Sequence, residues 1–134
     1  MTIRSDLSVE VPVIKKKILV VEDEESLLKL QSILLTIRGY TVEGVMDGQA
    51  ALEVVETMNP DLILLDIMLP KIDGFEVCRQ VKANEATRHI PVIMLTAKKS
   101  MEDRVMGEQA GADMYIIKPY KASIAIETIQ RLLS

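Results

Sequence analysis

The chain has 134 residues, of which 49% are hydrophobic and 27% are charged, and its formal net charge is −4. This composition is that of a single soluble globular domain, and no apolar run approaches the roughly 18 residues of a membrane-spanning helix. The acidic balance argues against a nucleic-acid surface and the single cysteine, Cys78, excludes an internal disulfide, so we expect a cytoplasmic protein that binds neither membrane nor nucleic acid directly.

The first part of the chain is irregular. Residues 1–14 mix polar residues, Pro12 and isolated aliphatic residues without a sustained period. This pattern favours a flexible N-terminal arm. We therefore expect one folded domain, which covers residues 15–134.

From Lys17 onward, strand patterns alternate with helix patterns. The predicted strands cover residues 17–22, 40–45, 61–65, 91–95 and 113–117. The predicted helices cover residues 24–38, 48–58, 74–83, 100–110 and 121–133. In the first helix, apolar residues recur three, four and three positions apart, at Leu27, Leu30, Leu34 and Ile37. We expect this stripe to pack against the sheet.

The third and fourth predicted strands consist almost entirely of aliphatic residues. Such strands are buried on both faces, so helices must cover both sides of a parallel sheet. The sequence therefore predicts an α/β fold, in which a doubly wound, five-stranded parallel sheet forms the middle of a (βα)5 three-layer sandwich. In sheets of this kind, the ligand site lies outside the carboxyl ends of the strands.

Charged residues follow the strands at that edge. Glu22 and Asp23 close the first strand, Asp66 closes the third, and Lys118 closes the fifth. We expect the Asp66 carboxylate to be exposed at its strand end. Three acids that converge beside one lysine repel one another unless a proton or a cation joins them. The pattern therefore indicates a site for a divalent metal ion.

These residues, in this order, resemble the receiver domain of two-component response regulators, and the resemblance covers about residues 16–133. It implies the flavodoxin-like strand order 2-1-3-4-5. It also implies that Asp66 is the phosphoacceptor, and that Lys118 and the strand-end hydroxyl of Thr96 contact the phosphoryl group. Thr96 and Tyr115 would then form a switch that changes the surface of the fourth helix, the fifth strand and the fifth helix.

The same resemblance implies a cation at the rim, which is Mg²⁺ with Mn²⁺ as an alternative. Asp23, Asp66 and the backbone carbonyl of Met68 would bind this ion directly, and Glu22 would reach it through water. No other cofactor is expected.

A receiver domain takes its phosphoryl group from a histidine kinase or a phosphotransfer protein. It signals to a downstream protein partner or to a fused output domain. We therefore expect a signalling phosphoacceptor rather than an enzyme, present as a monomer or as a weak dimer that depends on phosphorylation.

Two other functions stay open on the residues alone. An aspartyl-phosphate phosphatase of the haloacid dehalogenase type also uses a strand-end aspartate and magnesium, although it needs a second aspartate where this chain has Met68. The other alternative is a binding module on the same fold, either a receiver-like adaptor that is not phosphorylated or a flavin carrier.

Overall fold

The computed structural model describes residues 2–4, 10–12, 15–97 and 101–134. Two short strands, β1 (Thr2–Arg4) and β2 (Glu10–Pro12), pair in the antiparallel sense. The main sheet consists of β3 (Lys17–Val21), β4 (Thr41–Val45), β5 (Leu62–Asp66), β6 (Val92–Thr96) and β7 (Met114–Ile117). These five strands are parallel and lie in the order β4-β3-β5-β6-β7.

The helices are α1 (Glu25–Ile37), α2 (Gly48–Met58), α3 (Gly74–Ala83), α4 (Met101–Ala110) and α5 (Ala122–Leu133). Side-chain caps fix the starts of two of them. Asp47 accepts a hydrogen bond from the Ala50 N–H at 2.7 Å, and Asp73 accepts one from the Glu76 N–H at 2.9 Å. In the described part of the chain, no helix is long and apolar enough to cross a membrane.

Side chains of the central strands alternate between two apolar layers. Leu19 and Ile63 belong to the layer that also contains α2, α3 and α4. Ile18 and Leu64 belong to the opposite layer, which contains α1 and α5. Every residue of β5 and β6 is buried, because helices cover both faces of the sheet.

A lysine fastens the amino-terminal edge of the sheet. Lys82 on α3 donates from Nζ to the Ile90 carbonyl at 2.7 Å and to the Asp113 carboxylate at 2.8 Å. The same Asp113 oxygen accepts a hydrogen bond from the Val92 N–H at 2.8 Å. Because Val92 begins β6 and Asp113 directly precedes β7, these bonds hold the starts of both strands to α3.

The predicted fold class and strand order are confirmed, and the predicted elements agree with the described ones to within one residue at each end. Residue 100, the predicted start of the fourth helix, lies outside the described residues, as do residues 1, 5–9 and 13–14 of the predicted arm. The sequence pattern does not predict β1 and β2, because these segments are too short to show a period. The flexibility of the arm stays a prediction.

The predicted orientation of the first helix is wrong. Ile37 is 73% exposed, whereas Gln31 and Leu35 are buried. The reason is a tertiary contact: Leu28 packs over Gly44 of β4 so closely that a Cβ atom on this glycine would lie 2.8 Å from Leu28 Cδ1. This contact turns a different face of α1 toward the sheet than the sequence spacing indicates.

Candidate functional site

The register of the parallel strands brings their ends to one edge of the sheet. Asp66 ends β5 and lies beside Leu95 of β6. Thr96 ends β6 and lies beside Ile117 of β7. The remaining predicted site residues follow β3, β5 and β7 on the same rim, namely Glu22, Asp23, Met68 and Lys118.

Three carboxylates meet at this rim. Glu22, Asp23 and Asp66 each offer one oxygen atom, and these oxygens lie within 4.8 Å of one another. Glu22 and Asp66 are buried, whereas Asp23 is exposed. A ligand set made of carboxylate oxygens suits a hard cation such as Mg²⁺ or Mn²⁺. The acid cluster therefore fits the divalent ion that the sequence pattern predicts.

Lys118 reaches into this cluster. Its Nζ atom lies 3.1 Å from Asp66 Oδ2 and 3.4 Å from Glu22 Oε1. Burial acts to lower the pKa of Lys118, but the hydrogen bond and charge of Asp66, together with the charge of Glu22, outweigh it and raise this pKa. The ammonium group therefore stays protonated, and it offsets part of the negative charge at the rim.

One lysine does not neutralise the negative charge of three acids, and the pKa of Glu22 reflects the charge that remains. Burial, and after it the negative charge of Asp66, raises the pKa of Glu22 to about 7, although the Glu24 N–H and Lys118 act in the opposite direction. A carboxyl group with such a pKa is partly protonated at neutral pH, and a nearby cation favours its ionised form. The electrostatics of the rim thus favour the binding of a positive ion.

The prediction that the Asp66 carboxylate is exposed is wrong, because its side chain is only 7% exposed. The segment after β5 folds back over the strand end, where the Gly74 N–H donates to the Ile67 carbonyl at 2.9 Å. A Cβ atom at position 74 would overlap the Asp66 carbonyl oxygen, so only glycine lets α3 begin this close to the strand. Burial places Asp66 where the nearby charge of Lys118 is weakly screened.

Met68 and Thr96 are the two other predicted site residues near the end of β5. The Met68 N–H donates to Asp66 Oδ1 at 3.4 Å, so the backbone after β5 runs beside the acid cluster, while Met68 is 66% exposed. Thr96 is buried at the end of β6. The proposed metal-binding role of the Met68 carbonyl and the proposed phosphoryl contact of Thr96 stay predictions.

Tyr115 of β7 is held against α4. Its hydroxyl donates a hydrogen bond to the backbone carbonyl of Asp103, and its ring packs on the apolar layer beside α4. Gly107 makes room for this arrangement, because a Cβ atom there would overlap the Tyr115 hydroxyl. Burial, followed by the charge of Asp103, raises the pKa of Tyr115, so the hydroxyl keeps the proton that it donates.

A polar pair on the opposite layer is not predicted by the sequence pattern. Gln31 of α1 donates from Nε2 to the hydroxyl oxygen of Tyr120 at 2.9 Å, although Gln31 is only 7% exposed. A glutamine among apolar residues of the first helix was the available signal. Its burial becomes visible only once the orientation of α1 is known.

Fold and rim together define a class of protein: a doubly wound α/β domain with an acid cluster and a lysine at the carboxyl edge of its sheet. This is the architecture of receiver domains. The response regulator receiver domain family matches residues 18–130, and the chain belongs to this family.

Individual proteins agree with this assignment. The chain is 50% identical over 105 residues to the alkaline phosphatase synthesis transcriptional regulatory protein PhoP of Bacillus subtilis, which covers 78% of this chain and 43% of PhoP. Chemotaxis response regulator CheY4 of Vibrio cholerae matches with a TM-score of 0.84 at 32% identity, covering 90% of this chain and 100% of that one.

A third relative carries a metal. It is the receiver domain of sensor histidine kinase PA1611 from Pseudomonas aeruginosa PAO1, with a magnesium ion coordinated in its active site cleft. It matches with a TM-score of 0.82 at 35% identity, covering 90% of this chain and 98% of that one. The chain spans about half the length of the curated relatives it matches, from 43% of PhoP to 52% of an MtrA protein. These matches do not favour the phosphatase alternative.

Proposed function

We propose that this domain accepts a phosphoryl group on Asp66 from a histidine kinase or a phosphotransfer protein, with Mg²⁺ or Mn²⁺ as the cofactor. The observation that carries the proposal is the position of the Asp66 carboxylate. It is buried at a strand end, it lies 3.1 Å from the Lys118 ammonium, and it shares a cluster with Glu22 and Asp23. A buried carboxylate in such a setting is a candidate nucleophile rather than a solvated surface acid.

In the proposed reaction, an Asp66 oxygen attacks the phosphorus atom of a phosphohistidine. A new O–P bond forms and gives an acyl phosphate, while the P–N bond breaks and its electron pair stays on the nitrogen of the released histidine. A divalent ion, held by Asp23, Asp66 and the Met68 carbonyl and reached by Glu22 through water, would supply positive charge that offsets the repulsion between two anionic groups.

Lys118 has two successive roles in this proposal. Before transfer, it neutralises Asp66, from which its Nζ lies 3.1 Å away. After transfer, the same ammonium group turns to an oxygen of the phosphoryl group, which carries more negative charge than the carboxylate that it replaces. The Thr96 hydroxyl donates to another phosphoryl oxygen.

The signal would leave the rim through Thr96 and Tyr115. Movement of Thr96 toward the phosphoryl group opens space beside β7, and Tyr115 fills that space when it gives up its hydrogen bond to the Asp103 carbonyl. The surface formed by α4, β7 and α5 then differs between the two states, as a population shift requires. We propose that a downstream protein, or an output domain attached to this one, reads this surface.

Acetyl phosphate with Mg²⁺ tests the acceptor, with intact mass and peptide mapping as the measurement. We expect the wild-type protein to gain one phosphoryl group on Asp66, and Asp66→Asn to gain none. Asp73→Asn is the matched control, because Asp73 is a nearby aspartate that caps α3, and we expect it to be labelled like the wild type. Labelling of the wild type at Asp23 or Asp73, or of the Asp66→Asn variant, would show that the assignment is wrong.

A further inference from the structure

The segment between β5 and α3, residues 67–73, contains the Met68 carbonyl, a proposed ligand of the metal ion. The start of this segment is fixed to the strand end. The Ile67 carbonyl accepts hydrogen bonds from the Leu69 N–H at 3.1 Å and from the Gly74 N–H at 2.9 Å. Met68 lies between these anchors and is 66% exposed. A ligand atom on an exposed segment needs support from neighbouring residues to stay in place.

The start of α2 provides such a support, although none of the three clustered acids belongs to this helix. Gly48 begins α2 and is buried, and its N–H donates a long hydrogen bond to the Pro70 carbonyl at 3.4 Å. A Cβ atom on Gly48 would lie 2.0 Å from the Ile72 carbonyl oxygen and 2.8 Å from its carbonyl carbon. Because both atoms belong to the backbone, only glycine lets α2 and the segment approach this closely.

The backbone conformation of the segment shows that its surroundings hold it. Lys71 has a φ of +67°, in the left-handed region, which is unfavourable for lysine and persists where neighbouring contacts enforce it. The Ile72 N–H donates to the Pro70 carbonyl at 2.8 Å, and the Ile72 side chain packs on the apolar layer that contains α2. The Lys71 ammonium lies 3.6 Å from the carboxylate of Asp47, the residue that caps α2. The start of α2 therefore contacts three successive residues of the segment.

We propose that Gly48 is a positioning residue of the metal site: its close approach holds the segment that contains the Met68 carbonyl, and thereby raises the affinity of the rim for Mg²⁺. This inference rests on the proposed function, since it concerns the ion that phosphoryl transfer to Asp66 would use. Pro70 lies two residues after Met68, so a displacement at Pro70 reaches the ligand atom through a short stretch of backbone. Loss of a residue that supports a metal ligand typically weakens metal binding by about tenfold or more.

Thermodynamic linkage separates this role from a requirement of Gly48 for folding alone. If the contact between Gly48 and Pro70 raises the affinity for Mg²⁺, bound Mg²⁺ must stabilise that contact by the same factor. A glycine that only allows the chain to fold shows no such coupling.

The first measurement uses the wild-type chain. Amide hydrogen exchange followed by NMR, with and without saturating Mg²⁺, reports how often the Gly48 N–H opens. We expect Mg²⁺ to slow exchange of this amide about tenfold. The control is the Asn59 N–H, which donates to the Val55 carbonyl at the other end of α2 and should change less than about twofold. Equal slowing of the two amides, or no slowing at Gly48, would overturn the proposal.

The second measurement is calorimetric titration of two variants with Mg²⁺, after their amide spectra establish that they are folded. Gly48→Ala should displace the segment and weaken Mg²⁺ binding by about tenfold. Val55→Ala is the matched control, because Val55 is buried further along the same helix. It should destabilise the fold but retain the wild-type affinity to within about twofold. Equal losses of affinity, or wild-type affinity in Gly48→Ala, would contradict the positioning role. If Gly48→Ala does not fold, the exchange measurement decides the question.

Failure of this inference is distinguishable from failure of the proposed function. A wild-type protein that binds Mg²⁺ and is phosphorylated on Asp66, but whose Gly48 amide does not respond to Mg²⁺, would overturn the role of Gly48 alone. A wild-type protein that binds no Mg²⁺ would overturn the proposed function and this inference with it.

Discussion

Two acids of the carboxyl rim, Glu22 and Asp66, are buried almost as fully as the interior of the main sheet, but their burial has the opposite effect on stability. Leu65 is 0% exposed and the next residue, Asp66, is 5% exposed. Burial of the leucine side chain stabilises the fold by about 1.5–3 kcal/mol, whereas burial of the carboxylate is unfavourable and must be offset by a partner. The same contrast separates Val21 from Glu22 at the end of β3. The buried acids therefore lower the stability of the fold, and burial of the apolar interior offsets this loss. Binding of a positively charged ligand at the rim would reduce the unfavourable free energy of the buried acids.

The largest effect should come from the interior. Ile63 of β5 is 1% exposed, so Ile63→Ala should leave a cavity and lower the free energy of unfolding by about 2–5 kcal/mol. Asp66→Asn, three positions along the same strand, should lower the free energy of unfolding by no more than about 1 kcal/mol or should raise it, because the substitution removes a buried negative charge beside Glu22. Urea denaturation without a divalent ion measures both. Equal losses of unfolding free energy in the two variants would contradict the contrast between the interior and the buried acids.

The next effect concerns the dependence of stability on pH. The pKa of Glu22 rises from its ordinary value of 4.5 to about 7 in the folded protein. The folded state then holds a proton more tightly than the unfolded state does. The stability that Glu22 contributes is therefore complete below a pH of about 4.5 and is lost as the pH rises through about 7.

Glu22→Gln removes this loss, because glutamine stays neutral at every pH. In the absence of a divalent ion, we expect the variant to be more stable than the wild type by about 1–3 kcal/mol near pH 8, with a much smaller difference near pH 5. The exposed Glu43 provides a control, since Glu43→Gln should show no such dependence. A pH-independent difference for Glu22→Gln would refute the burial argument.

Mg²⁺ binding should distinguish the roles of two rim acids, Asp23 and Glu22. Asp23 is exposed and proposed as a direct ligand, so Asp23→Asn should weaken Mg²⁺ binding by about tenfold or more. Glu22→Gln should weaken it less, because Glu22 is proposed to act through water. Glu24→Gln, which alters the adjacent exposed acid, should have little effect. Isothermal titration calorimetry measures the Mg²⁺ affinity of the three variants. Equal losses of affinity in Asp23→Asn and Glu22→Gln would contradict the proposal that Asp23 binds the ion directly and Glu22 through water.

The smallest effect is expected at the contact between Tyr115 and α4. Tyr115→Phe removes the hydrogen bond to the Asp103 carbonyl and should cost about 0.5–1.5 kcal/mol of stability. Gly107→Ala should displace the Tyr115 ring. In amide NMR spectra, the signals of α4 and β7 should then shift toward those of the beryllofluoride-bound protein. Tyr120→Phe is the control, because its hydroxyl pairs with Gln31 on the other layer. Unchanged amides in Gly107→Ala would show that the contact does not belong to the switch.

The sequence predicts the sheet and the grouping of the rim because both follow from local rules. Aliphatic runs identify buried parallel strands, and parallel strands carry their carboxyl ends to one edge, which places Asp66 near Glu22 and Lys118 without knowledge of any other contact. The orientation of α1 and the burial of Asp66 depend instead on single close approaches, of Leu28 to Gly44 and of α3 to the strand end at Gly74. Spacing along the chain does not encode such contacts.

Lys82, which connects α3 to the starts of β6 and β7, restrains the relative movement of these three elements. Any sliding of β7 along β6 would have to break the bonds that Asp113 forms with Lys82 and with the Val92 N–H, at the edge farthest from Asp66. If phosphorylation displaces residues at the rim, we therefore expect side chains and α4 to move more than β7 slides along β6. The amino-terminal edge of the sheet would then stay in place while the carboxyl edge responds.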